Sequence, residues 1–270
     1  MRELILQLLN NEGIDQVGVL PLRDVHITKQ YLLDRVGIKS GSVICFAIPY
    51  YAEPDISPNI SAYAYGEDYH AYTRELGERL CGTLRQVYPQ NKFALFSDHS
   101  PIDERHAAAS AGLGIIGTHG MLITEKYSSY VFLSEIITDA DLGGTPQPIR
   151  HCEDCGACRA ACPYGLHGGC LSALTQKKGE LNEEEIQILI KYSSAWGCDI
   201  CTEVCPHTKK ALQAKTIYSP IPFFSKNLIP HLTVEDIQSM DDDTFSRRAY
   251  SWRGRDTIIR NLRLLSQRRH

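Results

Sequence analysis

The first half of the chain alternates apolar runs of strand length with stretches of helical period. Leu4, Ile5, Leu8 and Leu9 recur on one helical face, which predicts an amphipathic first helix stopping near Asn11 and Gly13. Four short runs follow: VGVLPL at 17–22, SVICFAIPY at 42–50, KFALFSD at 92–98 and YVFLSEIIT at 130–138. Their lengths and their β-branched and aromatic content suit buried strands. Between them, DYHAYTRELGERLCGTLRQVY at 68–88 and DERHAAASAGLG at 103–114 read as helices. Strands alternating with helices over 1–150 predict an α/β or α+β domain, with no strand order legible.

The polar segment LGGTPQPIR (142–150) breaks this pattern and reads as a linker. A cysteine-rich section occupies 151–207. Within it, GELNEEEIQILIKYSSAWG reads as one helix whose first-turn acids oppose the positive end of its dipole. The tail, 208–270, begins with a proline-containing loop and continues as helices. Its last 24 residues carry Arg247, Arg248, Arg253, Arg255, Arg260, Arg263, Arg268 and Arg269 against a single acid, Asp256.

Composition narrows the class. Of 270 residues, 43% are apolar and 22% charged, which excludes a disordered chain, a collagen and a coiled coil. Lys and Arg number 28 against 32 Asp and Glu, a net charge of −4, so a nucleic-acid contact would need a local basic patch. The opening MRELILQLLNNEGID lacks the apolar core of a signal peptide. No run reaches the roughly 18 apolar residues of a membrane span. A cytoplasmic protein with no membrane partner is expected, and there clustered thiols serve better as metal ligands than as disulfides.

Eight of the ten cysteines fall between Cys152 and Cys205. CEDCGACRAACP spaces Cys152, Cys155, Cys158 and Cys162 as x2, x2 and x3 before Pro163, the bacterial ferredoxin run for a [4Fe–4S] cluster. CGACRAACP (155–163) and CDICTEVCP (198–206) repeat the form C-x2-C-x3-C-P, which suggests two centres. In such runs the fourth cysteine ligates the other cluster. Crossed assignment gives Cys152, Cys155, Cys158 and Cys205 to one cluster, and Cys162, Cys170, Cys198 and Cys201 to the other. Paired C-x2-C also builds structural zinc sites, but the x2-x2-x3 run fits iron–sulfur better. Cys45 and Cys81, outside the cluster, read as small buried hydrophobes. A plain electron carrier needs no domain of 150 residues ahead of its clusters, so the clusters are expected to feed a site in that domain.

At this point the residues resemble a known family. GEDYH (66–70), SDHSPIDERHAAASAGLGIIG (97–117), EKYSSYVFLSEIITD (125–139), CEDCGACRAACP, CLSALT (170–175) and GCDICTEVCPH (197–207) together look like epoxyqueuosine reductase. The resemblance runs from about 40 to 265 in consistent order. It implies an α/β cobalamin-binding domain, a ferredoxin-like two-cluster domain and a helical tail. The implied activity is a cobalamin- and [4Fe–4S]-dependent oxidoreductase that converts epoxyqueuosine to queuosine in tRNA, drawing electrons from a low-potential donor such as a flavodoxin or ferredoxin. Two other readings stay open: the same machinery on another substrate, and an electron-transfer protein that reduces a partner's corrinoid.

Carried over by position, Asp98 matches the family's catalytic aspartate, the proton donor to the opening epoxide. Such an acid must hold its proton near neutral pH, which burial beside a corrin would favour; otherwise Asp98 is a turn residue before Ser100-Pro101. Arg105 falls near the cobalamin, and Leu122 and Thr124 lie in the segment that lines the corrin. Cys198 and Asp199 lie where the second cluster approaches the cofactor. His70, His99 and His119 are further candidates. The chain departs from the family at two places in the presumed active site: Thr118-His119 replaces Lys-Asn, and Asp98-His99-Ser100 replaces Asp-Thr-Gly. Many members continue into a helical-repeat domain that grips tRNA, and this chain resembles a short form without it. The arginine-rich tail is then the candidate tRNA contact, through bidentate phosphate bonds.

Overall fold

The computed structural model describes residues 1–267. The first half is built from α1 (Arg2–Asn11), β1 (Gln16–Pro21), α2 (Gln30–Val36), β2 (Ser42–Pro49), α3 (Tyr69–Val87), β3 (Phe93–Ser97), α4 (Glu104–Ser110), β4 (Ile115–Ile116), β5 (Leu122–Ile123) and β6 (Val131–Thr138). The pairings between these strands are antiparallel, and the main sheet has the order β1-β2-β6-β3, so the domain is α+β.

β2 is buried along its whole length because both sheet faces are covered. Alternate residues point to opposite faces of a strand. Ile44, Phe46 and Ile48 enter the core under α1 and α3, with Ile5, Leu9, Leu76 and Leu80. Val43, Cys45 and Ala47 enter the core under α2 and α4, with Leu33, Ala107 and Ala108. Cys45 and Cys81 are both buried, as the sequence predicts.

The second half is helical: α5 (Ala157–Ala161), α6 (Leu171–Thr175), α7 (Glu183–Tyr192), α8 (Ile200–Glu203), α9 (Pro206–Gln213), α10 (Val234–Ser239), α11 (Asp242–Ser246) and α12 (Arg255–Ser266). α7 begins with a capping box between Asn182 and Glu185, as its acidic first turn suggests.

Residues 142–150 adopt no regular structure, but they are not loose. Gln147 N donates to Ser110 O at 2.8 Å, Ile116 N to Arg150 O at 2.9 Å and Cys152 N to Ile116 O at 3.1 Å. Further clasps come from the loop before α3. Ser61 N donates to Trp196 O at 2.7 Å, and Trp196 Nε1 donates to Tyr63 Oη at 2.8 Å. Fully buried Trp196 shares one core with Ile60, Tyr65, Tyr130 and the tail residues Leu232, Ile258 and Leu262. The cysteine section is therefore bolted to the sheet domain on two sides. Among the described residues, no helix is long and apolar enough to cross a membrane.

The tail arginines are used differently from the sequence expectation. Arg248, only 5% exposed, donates through Nη1 to Tyr65 O at 3.1 Å and Asn227 O at 2.8 Å. Arg255 donates to Ile237 O and, at 2.8 Å, to Met240 O. Arg260 donates to Lys177 O at 2.8 Å and to Gly179 O. Arg247 pairs with Asp243 and Glu67. These four groups bind backbone carbonyls or carboxylates of this chain, although Arg247 remains exposed. Arg253 stacks on Trp252, 3.9 Å from the ring centroid. Arg268 and Arg269 lie outside the described residues.

Candidate active site and cysteine cavities

Asp98 directly follows β3, where the chain turns toward α4. Its φ of 62° is left-handed, an unusual conformation for a residue with a side chain, and such strain gathers at functional sites. The Asp98 N–H donates to Glu104 Oε1 at 3.1 Å, which fastens the turn to the first residue of α4. The Asp98 side chain is 69% exposed, and its Oδ2 lies 3.6 Å from Nε2 of His70. On the other side of that ring, Nδ1 is 2.7 Å from Oδ1 of Asp68, which also caps α3 by accepting from the His70 N–H. His99 faces away, with Nε2 2.9 Å from Tyr31 Oη and Nδ1 3.4 Å from Lys29 Nζ.

These contacts decide where the protons sit. His70 beside Asp98, with support from Lys29 and His99, holds the Asp98 carboxyl below the usual range. The two aspartates push His70 up to about 9. In this arrangement the proton rests on the imidazole. The Asp98 side chain is here open to water and lies beside His70, whereas the expected retention of its proton concerns burial beside a corrin. The carboxyl near neutrality is Glu104, which burial, followed by the Asp98 charge, pushes up to about 7. Behind it, Glu135 on β6 is 1% exposed and accepts from Ser100 Oγ; burial and the Glu104 charge raise it well above the carboxylate range.

Asp98, Glu104 and Arg105 share a cavity of about 270 Å³ with Tyr50, Tyr63, Tyr69, Met121, Leu122, Val131 and Phe132. Tyr69 stacks on Phe132 at 3.8 Å between centroids, making a flat aromatic wall. Arg105 Nη1 donates to Gly120 O at 2.7 Å, which ties this exposed side chain to the turn before β5. Ser129 also lines the cavity, its hydroxyl buried and without a hydrogen-bond partner among the described residues. Two predicted residues behave otherwise. Thr124 is 1% exposed and does not line this cavity: its hydroxyl donates to Ser128 O at 3.1 Å and accepts from Tyr127 N at 3.1 Å. Asp199 accepts from Ser61 Oγ at 2.5 Å and Ala62 N at 2.6 Å, clamping α8 to the loop before α3.

The eight clustered cysteines divide between two further cavities. Cys152, Cys155, Cys158 and Cys205 line one, and Cys162, Cys170, Cys198 and Cys201 line the other. Among the described residues, no three His, Cys, Asp or Glu groups converge as ligands of one metal ion. Thr118 and His119 line both cysteine cavities and not the Asp98 cavity, so that departure from the family pattern belongs to the thiol sites. Met121 and Leu122, two residues further on, line the Asp98 cavity.

Sequence reasoning passed over Glu104, Tyr50, Tyr63, Tyr69, Ser129 and Phe132. Glu104 and Tyr69 stand next to the singled-out Arg105 and His70, and Phe132 lies on the strand predicted at 130–138.

A strained acid beside a largely apolar cavity is joined through residues 118–122 to two sets of four thiols, an arrangement of the oxidoreductase class. The comparisons agree. A family model described as "Epoxyqueuosine reductase QueG, DUF1730" matches residues 34–99. An epoxyqueuosine reductase of Cellulophaga algicola is 33% identical over 220 residues, 76% of this chain and 69% of that protein. One of Synechocystis is 32% identical over 215 residues, 74% of each chain. The chain belongs to the epoxyqueuosine reductase family. In fold it is similar to the solved epoxyqueuosine reductase of Streptococcus thermophilus, with a TM-score of 0.79 at 22% identity, covering 98% of this chain and 80% of that one. It is similar also to an epoxyqueuosine reductase solved with an epoxyqueuosine-modified tRNA-Tyr stem loop, with a TM-score of 0.77 at 24% identity and the same coverage.

Proposed function

We propose that this chain reduces epoxyqueuosine in tRNA to queuosine, using two [4Fe–4S] clusters and cobalamin. The observation that carries the reading is one short segment, 118–122, which runs from the two four-thiol cavities into the cavity of Asp98 and Glu104.

The donor sets fit the groups. A cubane takes four thiolates, and each cysteine cavity offers four. Thiols that line a cavity, rather than closing on one point, suit a cluster better than a tetrahedral zinc ion. Cys152, Cys155, Cys158 and Cys205 would hold one cluster; Cys162, Cys170, Cys198 and Cys201 would hold the other. At about 270 Å³ the acid-bearing cavity is near the small end of ligand pockets, roughly 300–1,000 Å³, so a macrocycle would rest on it rather than within it. Leu122, Met121 and Phe132 would supply the apolar seat, and Arg105 and the orphaned Ser129 hydroxyl the polar contacts. When bound, these groups supply two electrons at low potential, refilled by a donor protein such as a flavodoxin or ferredoxin.

The chain's own residues supply protons and position. Opening the epoxide and expelling its oxygen as water consumes two electrons and two protons. The first proton is held on His70, 3.6 Å from Asp98 Oδ2, and is relayed to the opening oxygen through the Asp98 carboxylate at the cavity. Glu104, close to neutrality and bonded to the Asp98 backbone, supplies the second. General acids tuned in this way typically contribute 10²–10⁴ in rate.

The test is conversion of epoxyqueuosine-bearing tRNA by anaerobically reconstituted protein, followed by nucleoside analysis. Appearance of queuosine supports the reading. Intact epoxyqueuosine, with both cofactors bound and reduced, overturns it and leaves a related reductase of another substrate.

A further inference from the structure

His119 sits at the gap between the two cysteine cavities and lines both. The Met121 N–H donates to its Nδ1 at 3.2 Å. A ring nitrogen that accepts in a neutral imidazole carries no hydrogen, so the hydrogen is fixed on Nε2. That Nε2 is buried and has no partner among the described residues. A buried donor left unpaired costs about 1–3 kcal/mol, and native proteins rarely carry one without a reason. The ring is also held in place by the backbone: a Cβ at Gly117 would come within 2.6 Å of its Cε1 and 2.9 Å of its Nε2, so only glycine leaves it room. The neighbouring Thr118 already points its N–H at sulfur, 3.3 Å from Cys152 Sγ, while its hydroxyl, 3.2 Å from the same sulfur, donates to Asp154 Oδ1 at 2.9 Å.

We propose that His119 is a hydrogen-bond donor to iron–sulfur: its Nε2–H meets a sulfur of a cluster held in these cavities and raises that cluster's reduction potential. Reduction adds negative charge to the cluster, and a donor aimed at its sulfur stabilises the reduced form more than the oxidised one. Hydrogen bonds to the sulfurs are among the factors that set such potentials. Thr118 and His119 together make a donor strip between the two centres. This inference rests on the cluster reading above, and concerns the potential rather than the substrate.

The experiment is an anaerobic redox titration of the reconstituted protein, followed by electron paramagnetic resonance, for wild type, His119→Leu and His119→Gln. Leucine fills the ring's place without a donor, whereas the glutamine amide restores an N–H at nearly the same reach. With iron content unchanged, His119→Leu should make one cluster about tenfold harder to reduce, a negative shift of about 59 mV for one electron, and His119→Gln should restore most of it. Unchanged potentials in His119→Leu overturn the proposal. Should the leucine variant lose iron, retention of iron and of the wild-type potential by His119→Gln supports it, and loss of iron in both overturns it in favour of ring packing. Wild-type protein that takes up no iron removes the underlying cluster reading as well, and that result is seen before any variant is made.

Discussion

Nε2 of His70 stands 3.6 Å from Oδ2 of Asp98, while Nδ1 of the same ring lies 2.7 Å from Asp68. The imidazole is thus held between two carboxylates, one capping α3 and one presented by a strained turn at the end of β3. The arrangement stores a proton next to the candidate acid and holds that acid in place.

The pair predicts a pH dependence of stability. His70 moves from 6.5 to about 9 on folding, so its contribution is complete below 6.5 and lost as pH rises through 9. Asp98 is lowered, so its part is present above the ordinary carboxylate range and lost at acid pH. Because both groups are half open to solvent, the effect is small, below about 1 kcal/mol. The melting-temperature gap between wild type and His70→Gln should be widest at about pH 5–6, below the unfolded pKa and with the carboxylates still ionised, and close by pH 9–10. A gap that persists undiminished at pH 10 would mean that His70 acts by packing alone.

Asp98→Asn should fold normally, bind the same iron and cobalamin, and lose at least about 10²-fold in turnover. Turnover measured under saturating reductant checks this. Full activity in that variant removes Asp98 from the chemistry.

Glu104 titrates in the other direction from an ordinary surface acid. Its pKa rises from 4.5 to about 7, so the folded state loses stability as pH climbs between those values. Glu104→Gln should therefore be more stable than wild type at pH 8, by roughly 1–2 kcal/mol, and indistinguishable near pH 4. Its activity profile should lack the decline through pH 7 that a required protonated carboxyl imposes on wild type. Denaturant melts and rate profiles at several pH values read both effects.

The arginine-rich tail separates into two classes. Arg248→Ala would leave the carbonyls of Tyr65 and Asn227 without their donor, at a cost of about 1–3 kcal/mol. Arg253→Ala with Arg263→Ala should leave the melting temperature nearly unchanged. If this end of the molecule touches tRNA, that double variant should weaken binding and flatten its salt dependence. Filter binding across a salt series measures the difference.

How much of this was legible beforehand depends on distance along the chain. β1, β2, β3 and β6, α1, α3 and the α7 capping acids follow from local period and composition, and the structure places them within a few residues of the expected spans. The antiparallel order β1-β2-β6-β3 does not follow, because pairing β2 with β6 joins residues nearly ninety positions apart in the chain. The thiol spacing within each run is local and so was legible, whereas the cavity that Cys205 shares with Cys152, Cys155 and Cys158 brings together residues about fifty positions apart. The protonation of Asp98 was not: it depends on His70, 28 residues earlier, reaching the turn from another element. Nor was the fate of the arginines, since a sequence shows a guanidinium but not the carbonyls of Tyr65, Ile237 and Lys177 that claim it.

The account stands most directly on the metal content of the anaerobically reconstituted protein. It predicts about eight irons per chain in two cubanes, falling to about four in Cys158→Ala and again in Cys170→Ala, because each variant removes a ligand from a different centre. Uptake of zinc in place of iron, or loss of both centres on removing either thiol, would contradict it.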